Sequence, residues 1–381
     1  MRIAQMTWFT YRNYGTLLQA YALQNVMHGM GHEIDLVNYD PVAFQERHKA
    51  AIRRTRLVKI IRRWQMDRLG TSIHHSRGKE RAFRDFIDEE LSLSRPVRVQ
   101  AEFDELNNLY DAFVCGSDQI WSPRCFDARY YLDFVSDGRK KIAYAPSFGC
   151  ENLSDEDAKV IRPLVTDFEH LSNREVAGAE LVTQMTGKPC EVVIDPTLLL
   201  DREAWRSIGS STPLMSRPFC LCYFLGGFEG NWEKAREIAH AKGLPVLIIP
   251  AHMGDRKREG IVPDDIGPRE FLGLFASASY VCTDSFHGLV FSTLFQKAVT
   301  VFERFDPDNS ASQNVRIYNF LTMFGLTERL CTRKMLNTPC DTSDILYSLI
   351  DKEITVKREK SLEFLHDSLQ MVESEVSNND R

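Results

Sequence analysis

The chain predicts two successive α/β domains, each built on a parallel sheet, with a cleft between them and a helix at the C-terminal end. Three observations carry this. Short β-type runs alternate with amphipathic helical patterns, the signature of strands covered by helices. The alternation pauses once, at a Gly-, Pro- and Ser-rich stretch, and then restarts. At 381 residues the chain has the length of two domains rather than one.

Residues 2–7 read as the first strand. Residues 14–29 read as a helix with apolar Leu17, Leu18, Tyr21, Ala22 and Val26. Residues 33–39 alternate into a second strand. Residues 110–115, 141–145 and 190–194 are later strands, with helices near 155–168 and 174–185. These make up a first domain over residues 1–200, which includes a basic insertion at about 46–90. Residues 201–217 read as a linker. A second domain spans 218–350, with strands at 219–225, 245–249, 280–283 and 298–302 and helices at 232–242, 268–277 and 286–295. Over residues 351–381, a helix and tail, Leu362, Leu365, Leu369, Val372 and Val376 step by three and four, which makes one apolar face.

Hydrophobic residues at 43% and charged residues at 26% are ordinary for a folded protein. They exclude disorder, collagen-like repeats and a coiled coil. The net charge of −6 argues against a general nucleic-acid binder. No run approaches the roughly 18 apolar residues of a membrane span, and the first residues lack the apolar core of a secretory signal. Nine cysteines are scattered without paired CxxC spacing, which predicts reduced thiols, a cytoplasmic location and no zinc site.

Ligands of doubly wound sheets bind beyond the carboxyl ends of the strands, so the search for chemistry narrows to the loops that follow strands. Asn13-Tyr14-Gly15-Thr16 joins the first strand to the first helix. It fits a ligand brought close to backbone at a helix N-terminus, or a tight turn. It is not a GxGxxG fingerprint, so a dinucleotide is unsupported. Gly116-Ser117-Asp118-Gln119-Ile120-Trp121 offers Asp118 as a general base and Trp121 as a flat face for a sugar ring. An Asx turn with a core Trp accounts for the same residues. Tyr144-Ala145-Pro146-Ser147-Phe148-Gly149 fits either a close-packed ligand loop or a Pro/Gly turn.

Ser172 and Glu175 have the spacing of a capping box, which places Arg174 in the first turn of a helix. A cation there opposes the helix dipole and hints at a bound anion, a solvated Arg being the alternative. Thr283-Asp284-Ser285-Phe286-His287-Gly288 places a cap, a His and a Gly at a helix start. An imidazole among free N–H groups makes a clamp for phosphate or carboxylate. The loop 226–231, rich in Gly, fits a phosphate contact or a simple connection, and the eight-residue spacing of Glu229 and Glu237 is treated as chance.

Residues 46–84 hold 13 Lys and Arg against 3 Asp and Glu. Leu57, Ile61 and Trp64 share one helical face, and Arg56, Lys59, Arg62 and Arg63 crowd another. Two readings stay open here. One is a solvated insertion with its apolar stripe against the domain. The other is peripheral contact of residues 50–68 with an anionic membrane, at its inner face.

Taken together, the segments NYGTLLQAYAL (13–23), CGSDQIW (115–121), YAPSFG (144–149), LSNRE (171–175), DPTLLL (195–200) and TDSFHGLVFS (283–292) resemble the polysaccharide pyruvyl transferase family. The resemblance implies two Rossmann-like domains in a GT-B-like arrangement with an interdomain cleft. It implies transfer of pyruvate from phosphoenolpyruvate to a sugar, or to a lipid-linked oligosaccharide, of a cell-surface polysaccharide precursor. The product is a cyclic ketal, and phosphate is released. Arg174 and His287 match the family's donor-holding Arg and His. Many members carry an Arg two residues before that His, whereas this chain has Ser285. Arg316 or Arg329 is the candidate replacement.

The donor site expected is therefore Arg174, His287, Ser285, Gly288 and Arg316. Asn13, Tyr14, Gly15, Gln119, Trp121 and Ser147 are expected on the acceptor side or in the cleft. His287 and Asp118 are the catalytic candidates, with no metal and no cofactor beyond the donor substrate. The rival readings are a sugar-nucleotide glycosyltransferase and a non-catalytic glycan-assembly protein.

Overall fold

A computed structural model describes residues 1–39, 76–307 and 312–379. The proposed membrane-contact segment 50–68 lies outside the described residues. The chain divides into two compact units. Among the described residues, one comprises 1–39, 88–200 and 351–379, and the other 76–87, 201–307 and 312–350.

The first unit carries a six-stranded sheet in the order β2-β1-β3-β4-β5-β6, parallel throughout. The strands are β1 (Arg2–Met6), β2 (Glu33–Leu36), β3 (Ala112–Cys115), β4 (Lys141–Ala143), β5 (His170–Asn173) and β6 (Glu191–Val192). Ala112, Phe113, Val114 and Cys115 are all buried, as a strand covered on both faces requires. The helices are α1 (Tyr14–Gly29), α2 (Arg77–Glu90, shared with the second unit), α3 (Gln100–Leu109), α4 (Asp155–Thr166) and α5 (Val176–Thr186). Ser154 caps α4 by accepting from Asp157 N. Phe103, Phe113, Trp121, Tyr130, Tyr131 and Phe134 dominate the core.

The second unit carries a five-stranded parallel sheet in the order β11-β10-β9-β7-β8. It is built from α6 (Arg202–Ile208), β7 (Cys220–Tyr223), α7 (Glu229–Ala241), β8 (Val246–Ile248), α8 (Pro268–Ser277), β9 (Tyr280–Thr283), α9 (Phe286–Leu294), β10 (Ala298–Phe302), α10 (Val315–Met323) and β11 (Leu330–Cys331). The α/β class, the two parallel sheets and the terminal helix agree with the expectation. That last helix, α11 (Tyr347–Asn379), buries Leu365, Leu369 and Val372 of the expected stripe. It is also pinned to the first unit, where Arg358 Nε donates to Leu198 O at 2.6 Å and Ile194 N donates to Ser361 Oγ at 3.1 Å.

Three assignments differ from the sequence reading. The linker contains a helix: the Asp201 side chain accepts from Ala204 N at 2.8 Å and so starts α6, which buries Trp205 and Ile208. The basic insertion was placed with the first domain, yet residues 76–87 belong to the second unit. There the Ser76 hydroxyl donates to Asp265 at 2.6 Å. The capping box at 172–175 does not form. Ser172 is on β5, where its hydroxyl donates to Ala143 O at 2.7 Å and accepts from Ala145 N at 3.0 Å. No helix among the described residues is long and apolar enough to cross a membrane.

Candidate functional site

Each sheet has a point where successive connections leave in opposite directions. In the first unit it falls between β1 and β3, and in the second between β7 and β9. The loops at the carboxyl ends there form the crevice that doubly wound sheets use for ligands. Both motif clusters read from the sequence lie at these points.

In the first unit, Asn13 caps α1, its Oδ1 accepting from Thr16 N at 3.3 Å. One turn in, Thr16 Oγ1 donates to Asp118 Oδ2 at 2.7 Å. Asp118 Oδ1 accepts from Gln119 N at 2.9 Å, and Asp118 O accepts from Ser147 N at the same distance. The Asp118 backbone is left-handed, with φ of 68°, a conformation Asp tolerates better than most residues. Beneath this layer, Gln19 Nε2 donates to Thr7 Oγ1 at 3.0 Å and Gln19 Oε1 accepts from Ser117 N at 2.9 Å. Ser117 Oγ donates to Ala145 O at 2.6 Å. The ends of β1, β3, β4 and β5 are thus tied together by side chains.

Gly116 sits at the centre of this bracing, with φ of 135°. A Cβ built there would lie 1.8 Å from Tyr144 O. Gly116→Ala is expected to cost about 2–5 kcal/mol through backbone strain and overpacking, read as a lowered denaturation midpoint. A midpoint equal to wild type would show that the loop relaxes freely.

Arg174 follows β5 and is 3% exposed. Its Nη1 reaches Asp195 Oδ2 at 2.7 Å, its Nε reaches Glu175 Oε1 at 3.1 Å, and Nη2 lies 3.9 Å from Asp118 Oδ1. Burial works against its charge, but the carboxylates of Glu175, Asp195 and Asp118 outweigh burial and hold its pKa above the ordinary value. Asp195 is itself fixed by Thr197, whose backbone N and Oγ1 donate to it at 3.0 and 2.6 Å. One guanidinium therefore organises three acidic side chains. Arg174 precedes α5 rather than lying in its first turn, because the helix begins at Val176 with Glu175 as its cap position.

The acceptor-side candidates divide by burial. Asn13 and Gln119 are half-buried, whereas Tyr14, Gly15 and Ser147 are buried. Trp121 is 0% exposed. Its ring stacks on Tyr131 at 5.2 Å, and its Nε1 donates to Tyr130 O at 3.2 Å. Trp121 is therefore a core residue and offers no face to a sugar, since its hydrogen bond and both sides of the ring are used internally.

In the second unit, Ser285 caps α9, its hydroxyl accepting from Gly288 N at 3.2 Å. His287 is the second residue of that helix and is buried, edge-on to Phe286 at 5.1 Å. Asp284 crosses the crevice, accepting from Leu225 N at 2.6 Å and Gly226 N at 2.9 Å. Burial pushes its pKa up, against the lowering effect of Arg304 and these N–H bonds. The sequence reading assigned the missing Gly288 side chain to ligand approach. A Cβ there would instead lie 2.4 Å from Thr283 Oγ1, so the fold's own hydroxyl takes the space.

Of the two replacement cations, Arg316 is the second residue of α10, with its guanidinium 6.0 Å from the Phe286 ring. Arg329 is committed to the 341–343 loop, donating to Ser343 O at 2.8 Å. Sequence reasoning missed Arg304, which follows β10 and lies against Gly226. It also missed Thr16, Glu175 and Asp195 as partners of the acidic cluster. All three lie inside segments quoted above, NYGTLLQAYAL, LSNRE and DPTLLL, but nothing in those segments signals the pairing.

Among solved structures, the chain is similar to an α-glucosyltransferase in complex with UDP and a 13-mer DNA, at 12% identity and a TM-score of 0.48 over 98% of this chain and 99% of that one. It is similar to UDP-GlcNAc 2-epimerase from Methanocaldococcus jannaschii, at 9% identity and a TM-score of 0.49 over 94% and 93% of the two chains. It is also similar to the trehalose-6-phosphate phosphatase N-terminal domain from Candida albicans, at 10% identity and a TM-score of 0.45 over 97% of each. No curated protein matches the sequence. The family model described as polysaccharide pyruvyl transferase matches residues 13–307. That span runs from the Asn13 cap through both loop clusters and past Arg304, so the chain belongs to the polysaccharide pyruvyl transferase family.

Proposed function

We propose that the protein transfers pyruvate from phosphoenolpyruvate to a sugar of a cell-surface polysaccharide precursor, forming a ketal and releasing phosphate. The observation that carries the reading is the family match over residues 13–307, which includes every catalytic candidate. Phosphoenolpyruvate brings a carboxylate and a phosphate, so its site needs cations and N–H donors. His287 at the start of α9 and Arg174 at the end of β5 are the proposed donor ligands. Three carboxylates surround Arg174. The second unit offers Arg316 and Arg304 as further candidate donor ligands beside His287.

In the scheme, an acid delivers a proton to the methylene carbon, and His287 is placed in that role. Asp118 takes the proton of a sugar hydroxyl, which attacks the resulting oxocarbenium-like carbon. A second hydroxyl then displaces phosphate and closes the ketal. No metal and no redox cofactor enter this scheme.

The test is incubation with phosphoenolpyruvate and a lipid-linked oligosaccharide extract. The expected result is phosphate release together with an acceptor heavier by one pyruvyl ketal. Sugar transfer with nucleotide release from added sugar nucleotides would replace the proposal with a glycosyltransferase. Acceptor binding without either product would replace it with an assembly role.

A further inference from the structure

Two groups of cysteine sulfurs lie in the second unit. Cys220, Cys222 and Cys282 are side by side on β7 and β9, fully buried, with the Cys220 and Cys282 sulfurs 3.9 Å apart. Cys331, the last residue of β11, and Cys340 have their sulfurs 3.0 Å apart. That is within about 1 Å of the ~2.05 Å disulfide bond. Both thiols are reduced. Cys331 is buried and Cys340 is half-buried, so Cys340 is the more exposed residue of the pair.

We infer that Cys331 and Cys340 are a redox modification site, closed to an intramolecular disulfide by exchange with a small-molecule disulfide of the glutathione class. The inference does not depend on the pyruvyl-transfer reading. In the first step the Cys340 thiolate attacks one sulfur of the oxidant, forming a mixed disulfide and expelling one glutathione thiolate. In the second, Cys331 gives up its proton and attacks Cys340 Sγ, forming the Cys331–Cys340 bond and expelling the second glutathione. The protein loses two hydrogens, and one glutathione disulfide becomes two glutathiones.

The surroundings suit these roles. The contact with the Cys331 sulfur brings Cys340 down to about 7, with burial opposing and the Lys234 ammonium assisting. The Cys331 thiol is pushed up by the bond to Cys340 and by burial, which suits a residue that reacts only once its neighbour has been modified. The new bond would close the segment 332–339. That segment is already seated: Arg333 N donates to Glu303 Oε2 at 2.9 Å, and the Arg333 guanidinium lies 4.3 Å from the Phe228 ring. The link therefore forms without uprooting the segment.

Trypsin cuts after Arg329, Arg333, Lys334 and Lys352, so the two cysteines fall in separate peptides. Full-length protein, reduced, desalted and then equilibrated with glutathione and glutathione disulfide, should lose two hydrogens and give the linked pair 330–333 with 335–352. Its melting temperature should rise and return on addition of dithiothreitol. Cys331→Ser should stop at a stable glutathione adduct on Cys340, and Cys340→Ser should give neither product. Unlinked peptides in oxidised wild type, a persistent wild-type adduct on Cys340, or linkage within Cys220, Cys222 and Cys282 instead would overturn the assignment.

Discussion

His287→Ala is expected to lower kcat for the proposed pyruvyl transfer by about 10²–10⁴-fold, the range for a lost acid or base. Its effect on the denaturation midpoint should be small. The helix start does not depend on the imidazole: α9 is capped by Ser285, whose hydroxyl takes Gly288 N, and Ala is well tolerated inside a helix. His287→Gln keeps a donor for a bound anion but no titratable acid. If the imidazole is both ligand and acid, the Gln variant should bind phosphoenolpyruvate nearly normally and turn over as poorly as the Ala variant. A Gln variant with wild-type kcat would remove His287 as the acid, and normal kcat in both would remove it from the mechanism.

The second large effect is on stability. Arg174→Met deletes a cation shared by Asp195, Glu175 and Asp118. Three carboxylates are left buried and close together, and breaking a buried ion cluster from one side costs about 3–5 kcal/mol. The loss has a characteristic pH dependence. Without the guanidinium the negative charges repel one another, and acid relieves that repulsion by neutralising carboxylates. The deficit relative to wild type should therefore be greatest at neutral pH and shrink as the pH is lowered. Arg174→Lys, which keeps the charge but loses the fork that reaches Asp195 and Glu175 together, should recover only part of the loss. Chemical denaturation of the three proteins across pH measures this, and a deficit independent of pH would show that packing rather than charge dominates.

The elements legible in the sequence share one property: their apolar period is set by burial along their whole length. Residues 14–29, 268–277 and 280–283 read from pattern match α1, α8 and β9. Helix α6 was obscured because Gly209, Pro213 and the serines after it outweigh a seven-residue helix whose clearest signal is the Asp201 cap. Helices α3 and α10 were passed over, as was the two-residue edge strand β11. The Ser172–Glu175 spacing misled for a physical reason. A capping box is a local pattern, but the Ser172 hydroxyl finds main-chain partners on the neighbouring strand, and contacts across a sheet leave no trace in local spacing. Trp121 misled in the same way. A strand-end Trp has the composition of a ligand platform, and only packing against Tyr131 and Phe148 reveals it as interior. Asp118 was legible as an acid in a loop, while its partnership with Thr16, 102 residues away, was not.

The braces beneath the first-unit loops bear on protein engineering. Thr7, Gln19, Ser117 and Ser172 each anchor a segment other than their own, so no one of these loops is a self-contained cassette. A graft that exchanged residues 116–121 alone and lost Ser117 would strand the Ala145 carbonyl, and its backbone would have to return an N–H to Gln19 and a carbonyl to Thr7 at the same points. Chimeras made to alter acceptor choice should therefore move the four strand ends as a set.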